Sequence, residues 1–405
     1  MVTTRSRALI LTCLPLLGAL FPLRAAYAAV PVWAALSGTA GHEGGMQRWQ
    51  PLLSFAKTSN VSESQADSRF PALAAGDNDV HVVWEENGRI LHRLYREGVW
   101  SAQRSVATGE QPALVVDEDG AAHLIFVNEF GGNYEIYYCR WNGTAWSLPR
   151  NVSNTSGVSS APGVALGRSG ALHAVWADNT PGFGVIYHAH WNGTYWINGP
   201  IPNATGGAPS IAVDAEGAVH VAWQDRDDAA SPYDIYHCQR SEAGWTLPEN
   251  LSDSSEEPSL SPSIAADGRR TLHVTWQERA NGGYVIQYAR GNTGAWSAPE
   301  RLSDGESEAY LPCIAVGRGN PVYLGWQESS RLLYRQKAER DALWSSTAVV
   351  VNDAAGVSDL QLASDNGGHL HAVWTQRVSP GNWDVFYADL SFRLVLPLVS
   401  RDALR

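Results

Sequence analysis

An all-β ring is written into the repeats of this 405-residue chain. They predict a seven-bladed β-propeller of four-stranded antiparallel blades, its ring closed by the N-terminal strand completing the last blade. A short apolar element recurs as HVVW at His81, HLIF at His123, HAVW at His173, HVAW at His220, HVTW at His273, YLGW at Tyr323 and HAVW at His371, at spacings of 42, 50, 47, 53, 50 and 48 residues. A period in the forties with room for four strands is the signature of propeller blades. A second tryptophan recurs at Trp100, Trp146, Trp196, Trp245, Trp296 and Trp344. The seventh copy ends after its third strand, and residues 49–62, WQPLLSFAKTSNVS, match the fourth-strand sequence WSLPRNVSNTS that begins at Trp146. A ring closed by that segment has no open sheet edge to invite aggregation.

Taken in order, residues 1–28 have the form of a secretory signal. Arg5 and Arg7 form the charged start, an apolar stretch follows, and Ala26-Tyr27-Ala28 is a small-x-small cleavage site. Residues 29–48 lack periodicity and are expected to be a flexible lead-in. The propeller is expected over 49–391, with blades starting near Phe70, Gln111, Ala161, Ala208, Ser261, Leu311 and Ser358. Residues 209–252 show one whole unit. IAVD and AVHVAWQD are strands a and b around an Asp214–Gly217 turn, YDIYHCQR is strand c, and WTLPENLS is strand d, whose proline suits an outer edge. Residues 392–405 form a short tail. They resemble the LPLV-plus-arginine endings of many secreted bacterial proteins, or could add a β-segment to the domain edge.

Composition narrows the partners. The net charge is −12, and removal of the leader with its three arginines leaves 26 basic against 41 acidic side chains. Such a balance argues against nucleic acid and anionic membrane as partners. No apolar run is long enough for a membrane span. The expectation is a secreted or cell-surface monomer that meets a glycan or an extracellular protein and needs no cofactor or metal. Of four cysteines, Cys13 lies in the leader, while Cys139, Cys238 and Cys313 occupy small-residue positions of the repeat; no disulfide is expected.

The repeat, small-Ile-Ala-Val-Asp-x-x-Gly-x-x-His-Val-x-Trp followed by Ile-Tyr-Tyr and Gly-x-Trp-Ser-x-Pro, resembles secreted bacterial propellers grouped with sialidase-like, or neuraminidase-repeat, sequences. The likeness covers nearly the whole chain after the leader. The Asp box of that family, Ser/Thr-x-Asp-x-Gly-x-Thr-Trp, is absent. VDAEGAVHVAW and VDEDGAAHLIF keep only its Asp-x-x-Gly hairpin. Fold alone does not assign an activity.

Positions shared by every blade read as architecture. One histidine per blade is too dispersed to gather ligands for a zinc ion, so the ring of His81, His123, His173, His220, His273 and His371 is expected to pack and hydrogen-bond between blades. Thirteen of seventeen tryptophans occupy the two repeat positions and are expected to be core. An acid or amide ends strand b throughout, as Glu86, Asn128, Asp178, Asp225, Glu278, Glu328 and Gln376; the expectation is a capping role, with a polar or cation-binding rim as the other reading.

Features that differ between blades point to a site. The b–c loops of blades 1 and 6 are minimal; the others carry Tyr134, Phe183, Tyr233, Tyr284 and Trp383. An acid follows in three blades, as Tyr134-Glu135, Tyr233-Asp234 and Trp383-Asp384. An aromatic face beside a carboxylate suits a sugar ring, offering a stacking surface and hydroxyl acceptors. These eight residues, Tyr134, Glu135, Phe183, Tyr233, Asp234, Tyr284, Trp383 and Asp384, are the expected ligand-binding set, and no catalytic residue is assigned. The sialidase resemblance implies a second reading, a glycoside hydrolase, with Arg226, Arg279 and Arg377 beside Asp225, Asp227, Asp228 and Glu278.

Overall fold

A computed structural model describes residues 58–390, apart from 78, 168–169, 229, 255–256, 281, 306 and 339–342. The expected leader, lead-in and tail, and most of the expected closing segment, lie outside the described residues. Within them every regular element is a strand, and no helix is long and apolar enough to cross a membrane.

Seven antiparallel sheets follow one another in chain order. Strand a of successive blades spans Ser68–Ala75, Glu110–Val116, Ser159–Leu166, Gly207–Val213, Ser259–Ala266, Ala309–Val316 and Val357–Ser364. Each strand a touches the next, and the last touches the first, so these seven strands line the axis. Strand b follows at Asp79–Glu86, Ala122–Phe130, Leu172–Asp178, Val219–Asp225, Leu272–Ala280, Val322–Glu328 and Leu370–Ser379. Its repeat tryptophan (Trp84, Trp176, Trp223, Trp276, Trp326 or Trp374) is fully buried between blades. Strand c runs over Arg89–Arg96, Asn133–Arg140, Val185–Trp191, Asp234–Ser241, Gly283–Asn292, Arg331–Lys337 and Asn382–Asp389.

The ring closes as the repeat count requires. Ser59–Asn60 pairs antiparallel with strand c of blade 7, Ser59 opposite Tyr387 and Asn60 opposite Phe386. The Val61 amide donates to the Val385 carbonyl at 2.7 Å, and the Val61 side chain is fully buried against Val82, Trp84 and Tyr387.

Each strand a breaks register at its second or third residue, which takes a left-handed conformation: Phe70, Gln111, Ala161, Ala208, Ser261, Leu311 and Asp359, with φ between 49° and 56°. In six blades proline follows. A non-glycine residue held there costs on the order of 1 kcal/mol, so something must hold it. In blades 3, 5 and 6 the preceding blade supplies an acceptor. Gln111 Oε1 takes the Ala161 amide, Gln224 Oε1 the Ser261 amide and Gln277 Oε1 the Leu311 amide, each at 2.9 Å. The bulge therefore serves as a blade-to-blade clamp, and it explains why strand a begins where the Xaa-Pro pairs stand.

The histidines do the same work on the opposite face, where the a–b turns lie. In blades 2, 5 and 7 the histidine Nδ1 meets the hydroxyl of Tyr138, Tyr288 or Tyr387 at 2.7–2.9 Å. In blades 1, 3 and 4 it meets Nε2 of His92, His188 or His237 at 3.1–3.2 Å. A tryptophan of the next blade then stands edge-on to that second ring, as Trp196 to Tyr138, Trp344 to Tyr288 and Trp100 to Tyr387. Those three indole nitrogens have no hydrogen-bond partner among the described residues, and the perpendicular geometry directs the N–H at the ring face. The histidine ring is thus a set of inter-blade relays. Cys139, Cys238 and Cys313 are buried free thiols in blades 2, 4 and 6.

Candidate functional site on the b–c loop face

Antiparallel pairing puts the end of strand b, the start of strand c and the start of strand a on one face of the ring. The residues ending strand b are engaged there, two of them with the preceding blade: Thr108 donates to Asn128 at 3.2 Å and Thr205 donates to Asp225 at 2.5 Å. Glu278 accepts from the Trp276 indole at 3.2 Å and Glu328 from that of Trp326 at 3.2 Å. Glu86 takes the Ser68 hydroxyl at 2.9 Å, and Asp178 takes those of Thr155 and Ser159 at 2.7 and 2.9 Å.

The three acids that follow loop aromatics share one task. Asp234 accepts from Ser252 Oγ at 2.7 Å, Ser254 Oγ at 2.6 Å and Asn250 Nδ2 at 2.8 Å. Asp384 accepts from Asn60 Nδ2 at 2.6 Å and Ser62 Oγ at 3.0 Å, and Glu135 from Asn133, Ser153 and the Thr155 amide. These carboxylates fold the d–a loop back onto strand c, and the donors around Asp234 hold its carboxyl below the usual carboxylate range against the opposing effect of burial.

The aromatics take up different environments. Tyr134 is half-buried and packs on the core between blades 2 and 3. Phe183 is 56% exposed. Tyr284 lies 5.4 Å from Tyr310, whose hydroxyl donates to Glu308. Arg69 lies over the Trp383 ring at 5.5 Å, and the Trp383 amide donates to Asp67 at 3.0 Å. Arg226 lies over the Tyr233 ring at 5.1 Å. Arg279 faces Glu257 at 3.8 Å, so the arginines of blades 4 and 5 engage locally. Blade 4 gathers the expected features most closely. A cavity of about 210 Å³ opens there between the b–c and d–a loops, lined by Asp227, Ser231, Pro232, Asp234, Asn250, Asp253 and Ser254.

A second cluster, at the start of strand a in blades 1 and 2, lies outside the expected set. Arg69 pairs across the sheet with Glu85. Burial pushes the Glu85 carboxyl up to about 7, and the neighbouring Glu110 adds to that; the Gln111 amide and Arg69 act in the opposite sense. Glu110 is also raised by burial. Glu85 occupies the position of the clamping amides Gln224 and Gln277. An acid standing where other blades have glutamine was the available sequence signal. Among the described residues no group of three or more His, Cys, Asp or Glu side chains is arranged to hold a metal ion.

Fold and site together define a seven-bladed β-propeller with a loop-built face. No protein-family model and no curated protein matches the chain. Among solved structures, it is similar to one described as a polysaccharide lyase, an ulvan lyase (12% identity, TM-score 0.60, covering 84% of this chain and 97% of that one). It is also similar to a protein of unknown function from Dyadobacter fermentans (11%, TM-score 0.54, 84% and 99%) and to the WD40 domain of Toxoplasma gondii coronin (11%, TM-score 0.52, 85% and 89%). At such identities the likeness is one of fold.

Proposed function

We propose that this chain is an exported carbohydrate-recognising propeller, with its main sugar subsite in blade 4 of the b–c loop face. The observation that carries the reading is the polar cavity beside Tyr233. Its walls are carboxylate, amide and hydroxyl groups, which suit a sugar's many hydroxyls, while the adjacent aromatic offers a face for C–H stacking. The Asp234 oxygens hold the loops and one Asp227 oxygen takes the Tyr236 hydroxyl at 2.9 Å, so Asp253 and the other Asp227 oxygen are the carboxylate groups that meet ligand. Arg226 over the Tyr233 ring keeps that ring in place. A similar solved structure described as a polysaccharide lyase accords with the reading, as do the leader-like N-terminal sequence and the surplus of acid side chains. The test is a glycan-array screen of the protein followed by calorimetry on the best ligand. Tyr233→Ala should weaken capture by about 1–3 kcal/mol while leaving melting nearly unchanged. Equal affinity in parent and variant would remove blade 4 from the site.

A second reading rests on Glu85 and Glu110. Two carboxyl groups, one held protonated near neutral pH, are what glycoside hydrolysis requires, and Arg69 beside them could meet a substrate carboxylate. Release of reducing sugar from a polysaccharide panel, abolished by Glu85→Gln or Glu110→Gln, would favour hydrolysis; capture without release favours recognition alone.

A further inference from the structure

On the face opposite the b–c loops, blade 6 buries a cation. Lys337 is only 7% exposed. Its amine lies 5.9 Å from the Tyr288 ring centre and 5.5 Å from that of Trp344, and no carboxylate among the described residues forms an ion pair with it. Contact with two aromatic faces offsets part of the cost of desolvating an ammonium, which is several kcal/mol. Packing alone does not call for a charge here, because strand c has Tyr95 and Trp141 at the corresponding positions of blades 1 and 2. Blade 4 has Arg240 there.

A cavity of about 120 Å³ opens at this lysine, with Arg290 and Arg269 also in its wall. A second buried group points the same way. His273 is 5% exposed and donates or accepts at Nδ1 with the Tyr288 hydroxyl at 2.7 Å, yet its Nε2 has no hydrogen-bond partner among the described residues. The nearest carboxylate, Asp267, stands 3.7 Å from it and spends its other oxygen on the Arg269 and Thr271 amides. The pocket therefore joins a buried ammonium, an unsatisfied imidazole nitrogen and two guanidinium groups, against Asp267 in its wall and Glu300 outside it, opposite Tyr288 in the sheet, in a protein whose net charge is −12.

We propose that this pocket binds a small oxyanion group, such as a sulfate, phosphate or carboxylate, held by Lys337 with Arg290 at the rim and His273 within. Charge-assisted hydrogen bonds to such a group would satisfy both buried nitrogens at once. The site lies on the other face from the proposed sugar subsite and does not depend on it. Either a free inorganic anion or the acidic substituent of a saccharide would present this chemistry.

The test is calorimetric titration of the full chain with sodium sulfate and sodium phosphate, at ionic strength held constant with chloride, and in parallel with a sulfated disaccharide and with glucuronate. Saturable binding is expected, with affinity reduced about tenfold in Lys337→Met, which keeps the packing stem and removes the charge. Should that variant fail to fold, Arg290→Gln at the exposed rim is expected to weaken binding several-fold. Tighter binding of the saccharides assigns the anion to a sugar chain; equal binding assigns it to a free ion. No saturable heat at millimolar concentrations with any of the four, or undiminished affinity in the folded variants, would overturn the proposal.

Discussion

Replacing His92 with tyrosine should make the protein less sensitive to acid while costing little at neutral pH. In blade 1 the Trp146 indole donates to His92 Nδ1 at 3.2 Å, so His92 carries its proton on Nε2 and donates it to His81 Nδ1 at 3.1 Å. Both rings are neutral and dry, and His81 is fully buried. Burial lowers His92 to about 3 and His81 to about 4. Below pH 6.5 the unfolded chain takes up protons that the folded chain refuses. Stability contributed by these rings is therefore complete above 6.5 and is lost as pH falls toward 4. Each such ring costs about 1.4 kcal/mol per pH unit across that window. Tyrosine at 92 reproduces the histidine–tyrosine pairing of blades 2, 5 and 7. It exchanges one indole hydrogen bond for an N–H to ring contact, a cost of about 1 kcal/mol. Urea unfolding of parent and His92→Tyr at several pH values between 7 and 4.5 provides the measurement. Acidic side chains titrate alike in both proteins, so the difference isolates His92. The stability gap should shift toward the variant by about 1.4 kcal/mol per pH unit below 6.5. A gap that stays flat, or a parent indifferent to acid over this range, would refute the argument that these rings are held neutral by burial.

Other expectations follow from the clamps and the closure. Asp384→Ala leaves three donors at the last seam, Asn60 Nδ2, Ser62 Oγ and the Ser64 amide, without their acceptor and should lower stability by about 2–4 kcal/mol in urea titration, whereas an exposed control such as Glu118→Ala should change little. Glu85→Gln supplies the amide used in blades 4 and 5. Because the raised Glu85 carboxyl must ionise as pH climbs from 4.5 through about 7, the variant should be the more stable protein at pH 8, by about 1 kcal/mol after allowance for solvent screening, and should lose that advantage at pH 5. Burial pushes the Cys139 thiol up to about 12; a thiol reagent at neutral pH should therefore react only on unfolding, and then with Cys139, Cys238 and Cys313 all free.

The ring was legible because its cause is periodic. Trp84 and its counterparts must fill the same space in every blade, so their spacing gives the blade count, and a missing fourth strand at the end gives the closure. The clamps were less legible. Phe70-Pro71 and its equivalents are visible as dipeptides, but the left-handed turn there answers to Gln224 or Gln277 in a neighbouring blade, and no local preference encodes that. The loop acids show a different limit. Asp234 beside Tyr233 reads as a sugar acceptor, while its hydrogen bonds go to Asn250, Ser252 and Ser254. The partner motif does recur, as Asn60-Val-Ser62, Asn151-Val-Ser153 and Asn250-Leu-Ser252, always in blades whose strand c opens with an acid. Arg69 over Trp383 lay beyond reach, since it joins the two extremes of the domain and the equivalent contact between blades 5 and 6 uses two tyrosines, Tyr284 and Tyr310.

The closing strand also fixes the order of events in folding. Asn60 donates to Asp384 across 324 residues of chain, and by loop-closure scaling alone such an encounter costs about 5 kcal/mol of entropy. Blades 1 to 6 contain their own four strands and can form as each is synthesised. Blade 7 must wait for both ends of the domain, and until it is made the hydrophobic flank of blade 1 has no partner. The ring therefore completes only when the last strand has emerged, and a chain halted a few residues short of Asp384 keeps its blades and lacks its seam.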